Sequence, residues 1–258
     1  MVRRLAELGL TVVLTSRDVG KGMAAVEELR AGGLRVAFRQ LDVSDEASIQ
    51  EFASWLRQTF HALDILVNNA AVSFNDIGEN SVAHAEAVIR TNFHGPKRLT
   101  EALLPLFRRF SSHSRILNIS SQLGLLSEVK NEGLRAMLKD EEGLSEAAIE
   151  DMVAAFLGDV KEGTWRQRGW PRLWTDYSVS KLALNAYTRL LARKLEGARI
   201  SVNCFCPGFT RTDMTRGRGE RTAEEAADVA ATLVLLPAAK LPTGRFFKWC
   251  TPILYSAI

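Results

Sequence analysis

The sequence predicts an α/β fold, a doubly wound, Rossmann-like parallel sheet with helices on both faces. Two observations carry that expectation. Short runs rich in Val, Ile, Leu and Thr alternate with longer stretches whose apolar residues recur at helical spacing. The connections between them are short, as in strand–helix–strand units. No linker or repeat interrupts the chain, so residues 1–258 are expected to form a single domain.

Residues 1–8 read as the tail of an amphipathic helix stopped at Gly9, and residues 11–15 as a β-branched strand followed by Ser16, Arg17 and Asp18. The spacing of Ala24, Ala25 and Leu29 predicts a helix over 21–31, closed by Gly32 and Gly33. A strand over 35–40 leads into Leu41, Asp42 and Val43. Ser44 is placed to cap the next helix, which runs to residue 59, with Asp45 and Glu46 in its first turn where the macrodipole favours acids. Residues 65–67 form a short buried strand ending in Asn68, Asn69, Ala70 and Ala71. A long helix is expected over 82–110, bent or broken by Pro96 and Pro105. A strand over 115–119 ends in Ser120 and Ser121.

The rhythm then changes. Residues 123–172 carry two helical segments, 131–139 and 145–161, and a turn over 165–171, with no strand. This stretch reads as an insertion. It is followed by a helix over 177–195, a strand over 199–205, the segment from Cys206 to Met214, a helix opened by a capping box at Thr222 and Glu225, and a last strand near 244–249. In open parallel sheets ligands bind beyond the carboxyl ends of the strands. That directs attention to Arg17, Asp42, Asn68, Asn69, Ala70 and Ser121.

Composition narrows the function classes. With 47% hydrophobic and 24% charged residues the chain can build an ordinary core. A net charge of +3 suits an anionic small ligand without calling for nucleic acid. Arg211, Arg216, Arg218 and Arg221 are interrupted by Asp213 and Glu220 and read as a substrate loop or solvated surface, so no nucleic-acid partner is expected. No apolar run reaches membrane-spanning length, and Glu7 breaks the only leader-like stretch. The three cysteines have neither zinc spacing nor a disulfide pattern, which points to a reducing, cytoplasmic setting.

The stretch with chemistry in it is Tyr177-Ser178-Val179-Ser180-Lys181, at the start of an apolar-periodic helix. Residues four apart share a helix face, so Lys181 stands beside Tyr177. A fixed cation there is expected to draw the phenol, which ordinarily titrates near pH ~10, toward neutrality. Alone, the pattern is weak, and its usual reading is a solvated helix face.

In company it is more specific. Asn68-Asn69-Ala70, then Asn92, Ser120-Ser121, Tyr177-x-x-x-Lys181 and Pro207-Gly208-x-x-x-Thr212 fall in one order that resembles the short-chain dehydrogenase/reductase family over nearly the whole chain. The insertion, and the run from Ala183 to Arg189, resemble the branch containing monomeric carbonyl reductases and plant menthone/neomenthol and salutaridine reductases. The resemblance implies hydride transfer between NADP(H) and a small hydrophobic carbonyl substrate. Tyr177 would be the proton donor, Lys181 would bind the nicotinamide ribose and tune Tyr177, and Ser121 would hold the carbonyl oxygen. Asn92 would fix a water leading to Lys181. For the cofactor, Ser16 stands where an acid would select NAD, and Arg17 follows it, which favours a 2′-phosphate; Asp18, one step on, weakens the preference. Asp42 and Val43 would meet the adenine, Asn69 and Ala70 the adenosine side, and Pro207, Gly208 and Thr212 the nicotinamide.

The resemblance has a gap. The family's first strand and its glycine-rich turn over the pyrophosphate have no counterpart in the sequence, so a sheet lacking that strand is expected. A shortened gene model, a splice form or fragment, and an inactive relative acting as a binding or regulatory protein all account for it. Trp165, Trp170 and Trp174, with Phe209 and Met214, could wall an apolar pocket, or the tryptophans could be the core of the inserted helices. The insertion resembles the segment that covers the tetramer face in the wider family, so a monomer is expected.

Overall fold

The computed structural model describes residues 1–74, 80–108 and 113–253. Its elements run α1 (Val2–Glu7), β1 (Val12–Ser16), α2 (Val19–Ala31), β2 (Val36–Gln40), α3 (Glu46–Phe60), β3 (Ile65–Asn68), α4 (Val82–Ile89), α5 (Gly95–Leu103) and β4 (Ser114–Ile119). They continue through α6 (Glu132–Lys139), α7 (Glu146–Lys161), α8 (Thr175–Lys194), β5 (Ile200–Cys206), α9 (Ala223–Val234), β6 (Phe246–Lys248) and β7 (Thr251–Ile253).

The alternation produces the expected parallel α/β sheet, in two parts. β1 pairs with β2, and a five-stranded sheet runs β3-β4-β5-β6-β7, parallel except for its last pair. Among the described residues no strand pairs with the second edge of β1 or of β3. A shared core nevertheless joins the parts: Val12 of β1 packs in one apolar cluster with Leu117 of β4 and Phe205 of β5. The antiparallel β7 escapes the sequence reading because it is three residues long and contains Pro252; the residues after Ile253 lie outside the described set.

Two expected boundaries are corrected. Asp45, not Ser44, caps α3 by accepting from the Ala47 amide at 3.0 Å, while the Ser44 hydroxyl donates to Asp42 Oδ1 at 2.7 Å. The helix expected over 82–110 divides: α4 passes through a π-helical turn at Arg90–His94 into α5, then a 3₁₀ turn at Leu104–Leu106 ends it. Phe110 lies outside the described residues. A π turn holds one extra residue and recurs at functional sites; here it carries Asn92.

The insertion is a cover for α8. Ile149, Met152, Val153 and Phe156 of α7 share the main core with Val179, Leu182, Ala183 and Ala186 of α8. Hydrogen bonds latch the same face: Arg189 donates to the Leu138 carbonyl at 2.9 Å and Arg193 to the Leu144 carbonyl at 2.7 Å. Trp170 belongs to this core, its ring edge-on to Phe156 and its indole N–H donated to Asp159 at 2.8 Å. Trp174 does not. It stands edge-on to Tyr177, with ring centres 6.1 Å apart.

Candidate active site

Most of α8 is buried, including the polar residues Asp176, Ser178, Ser180, Lys181, Asn185 and Thr188. It begins two residues earlier than the sequence suggests, which puts Tyr177 in its first turn. The Tyr177 phenol lies close enough to the side chain of Ser121, two residues beyond β4, for that hydroxyl to act on its titration. One turn on, Lys181 lies 5.4 Å from the centre of the Tyr177 ring and donates to the Ile119 carbonyl at 2.8 Å. Ser121, Tyr177 and Lys181 are therefore brought together as expected.

Their electrostatics differ from the expectation. Withdrawal from water pushes the Tyr177 phenol up, the nearby Cys206 adds to this, and only the Ser121 hydroxyl opposes it. Burial also lowers the Lys181 ammonium, to about 8, because a desolvated cation favours its neutral form. The lysine spends a hydrogen bond on the Ile119 carbonyl rather than on the phenol. In this state the pair therefore stores a protonated phenol, the form able to donate a proton.

Asn92 is fully buried and reaches α8 directly. Its side chain accepts from the Val72 amide at 2.8 Å and donates to the Val72 carbonyl at 2.9 Å and to the Ser180 hydroxyl at 3.1 Å. It braces the segment after β3 against α8 through Ser180.

The remaining candidates lie where their strands end. Burial pushes the Asp42 carboxyl up, but hydrogen bonds from the Ser44 hydroxyl and amide and the charges of Arg17 and Arg90 hold it below the usual carboxylate range. Val43 is half-buried and packs against Gly95 at the start of α5. Asn69 and Ala70 are exposed beyond β3. Pro207 and Gly208 follow β5, with Gly208 at φ 71°, a left-handed conformation that favours glycine. Thr212 is exposed and anchors its turn through a capping box with Thr215. Exposed apolar side chains gather at the same end: Phe74 after β3, Leu173 before α8, and Phe209 and Met214 after β5.

Sequence reasoning missed Arg90 and Asp176. Arg90 had no signal, since its approach to Asp42 depends on the π turn. Asp176 had one, an acid immediately before the tyrosine. Its carboxylate accepts from the Tyr177 amide at 2.6 Å, yet burial raises its pKa to about 6 against that bond and the charge of His84. The folded chain thus binds the extra proton between about pH 4 and pH 6, and stability falls as pH rises through that window. Asp176→Asn is expected to stabilise the protein at neutral pH by roughly 1–3 kcal/mol and to leave it unchanged near pH ~3.5, which urea unfolding at the two pH values checks.

Among the described residues, no helix is long and apolar enough to cross a membrane and no group of His, Cys, Asp and Glu is placed to hold a metal.

Comparison with known proteins agrees with this arrangement. A family model described as short chain dehydrogenase matches residues 1–133, and one described as enoyl-(acyl carrier protein) reductase matches residues 164–236. The (+)-neomenthol dehydrogenase of Arabidopsis thaliana is 40% identical over 269 residues, covering 95% of this chain and 90% of the relative. The NADPH carbonyl reductase 3 of Mus musculus is 39% identical over 244 residues, covering 92% and 86%. The solved structure of salutaridine reductase from Papaver somniferum superposes with a TM-score of 0.89 at 36% identity, covering 96% of this chain and 94% of that one. The fold, the order of the motifs and the convergence of Ser121, Tyr177 and Lys181 have one common explanation: the chain belongs to the short-chain dehydrogenase/reductase family.

Proposed function

We propose that this protein is an NADPH-dependent reductase that interconverts a hydrophobic ketone or aldehyde and its alcohol. The observation that carries this is the meeting of Tyr177, Ser121 and Lys181 at the carboxyl end of β4. Their intact geometry favours catalysis over a purely binding role.

The residues present fit the adenosine and nicotinamide ends of the cofactor, while the turn that would hold its pyrophosphate has no counterpart here. Arg17 and Arg90 bring two guanidinium groups close enough to act on Asp42, a donor set matched to a 2′-phosphate on the adenosine side. The mouse relative is named for NADPH. Asn69, Ala70, Pro207, Gly208 and Thr212 would line the rest of the dinucleotide, and Lys181 would hold the nicotinamide ribose. When bound, the cofactor supplies the hydride that goes to the carbonyl carbon.

Everything else falls to the chain. Ser121 donates to the carbonyl oxygen and orients it. Tyr177, kept protonated by its surroundings, gives its proton to that oxygen as negative charge develops there. Lys181 opposes the phenolate that remains. Asn92 holds α8 and the segment after β3 in register. Trp174 stands edge-on to Tyr177, and Phe74, Leu173, Phe209 and Met214 are exposed apolar side chains on the segments that follow β3 and β5 and lead into α8, which suits a hydrophobic substrate. With α7 covering the outer face of α8, the protein acts as a monomer. Titration with NADPH tests the reading first: nucleotide fluorescence should rise on binding and the complex should oxidise NADPH when trifluoroacetophenone, an activated hydrophobic ketone, is added. Absence of binding at saturating nucleotide would refute it.

A further inference from the structure

Four residues of α8 meet four consecutive residues where β4 ends. Thr188 accepts from Asn118 Nδ2 at 2.8 Å, Lys181 donates to the Ile119 carbonyl at 2.8 Å, Asn185 accepts from the Ser120 hydroxyl at 2.6 Å, and Tyr177 stands near Ser121. Tyr177, Lys181 and Asn185 are successive i, i+4 positions, so one helix face makes these contacts. Asn185 also reaches the far end of the turn. Its Nδ2 donates to the Gly124 carbonyl at 2.8 Å, so one carboxamide ties both ends of the 120–124 turn. Ser120 and Asn185 are each 2% exposed, so neither bond is exchangeable for water.

The turn also lies directly on the helix backbone. A Cβ on Gly124 would stand 2.4 Å from the Lys181 carbonyl carbon and 2.6 Å from the Leu182 nitrogen. A hydroxyl that needs an acceptor and a carbonyl that needs a donor are served together by an amide, whereas a carboxylate offers acceptors only. Asn185 touches none of the reacting atoms. What it fixes is where Ser121, inside the turn, stands relative to Tyr177.

We propose that Asn185 is a positioning residue that clamps the 120–124 turn onto α8 and so sets where Ser121 stands relative to Tyr177. Its catalytic consequence rests on the function proposed above; the clamp itself does not.

The experiment compares Asn185→Leu, Asn185→Asp and, as a control, Thr100→Val in the full chain. Thr100 is equally buried and accepts from Asn68, but it does not touch the turn. Amide hydrogen exchange over residues 121–125 is measured without nucleotide. The constants kcat, KM and the NADPH Kd are measured with trifluoroacetophenone. Asn185→Leu should speed exchange of the turn about tenfold while the α8 core amides keep their protection. It should lower kcat about a hundredfold with NADPH affinity retained, the signature of a misplaced group rather than of lost fold. Asn185→Asp, which keeps the Ser120 bond and loses the Gly124 bond, should fall between, and Thr100→Val should change neither reading. Should Asn185→Leu fail to fold, the isosteric Asn185→Asp carries the comparison. Unchanged exchange in the turn, or an unchanged kcat per folded molecule, would overturn the clamp. A wild-type chain without turnover would instead overturn the functional reading, leaving exchange alone to decide the clamp.

Discussion

Tyr177→Phe is expected to lower turnover by about 10²–10⁴-fold while NADPH binding persists, because the variant deletes the proton donor and little else. The hydroxyl lies near Ser121, and the ring keeps its place edge-on to Trp174 and beneath Lys181 in either form. The ribose contact proposed for Lys181 and the adenosine-side contacts proposed near Arg17 would not involve the phenol oxygen. Steady-state kinetics with trifluoroacetophenone, together with fluorescence titration of NADPH, separate the two effects. A variant that keeps wild-type turnover would assign proton transfer elsewhere. One that loses cofactor binding in step with turnover would make Tyr177 a structural residue.

Ser121→Ala comes next in size. Removing a preorganised donor at a developing oxyanion typically costs about 10²–10³-fold in kcat. Here the serine acts twice, since its hydroxyl is also what opposes the rise of the Tyr177 phenol pKa. Alcohol oxidation needs the phenolate and carbonyl reduction the phenol. Without Ser121 the phenol titrates higher still, so the pH profile of oxidation should move to more alkaline values, whereas reduction loses rate without that displacement. Equal losses in both directions at every pH would remove Ser121 from the tuning of Tyr177.

Much of the site was legible because its determinants are short-range. The Tyr177–Lys181 spacing is a property of any α-helix. Ser121 and Asn69 could be located from strand ends alone, once the alternation of elements had fixed which ends face one way, whereas Gly208 came from the resemblance. The capping box at Thr222 and Glu225 formed as read. Long-range features were not legible. The π turn at Arg90–His94 depends on Asn92 reaching both Val72 and Ser180, residues distant from it in sequence. Asp45 displaced Ser44 as a helix cap because Ser44 found Asp42, a choice between two adequate capping residues made by local geometry. Lys181 was read correctly in position and wrongly in effect. A helical wheel places a charge but not its desolvation, and here burial sets the direction of both titrations. Asn185 did leave a trace: Lys181, Asn185 and Thr188 form a polar row along a helix spaced by the apolar residues Val179, Leu182, Ala183, Leu184, Ala186, Leu190 and Leu191. Such a row in a core helix needs partners, and its partners are the end of β4.

The central claim is that a hydride bound beside Tyr177 and Lys181 is delivered to a carbonyl carbon. Its most direct measurement uses NADPH carrying deuterium at the transferable position of the nicotinamide ring, incubated with the full chain and trifluoroacetophenone, with the product read by mass spectrometry. The account predicts one deuterium on the carbinol carbon, a primary isotope effect in single turnover, and neither in the Tyr177→Phe variant on the same time scale. Alcohol formed without deuterium, or NADPH left unoxidised by a wild-type chain that binds it, would contradict it.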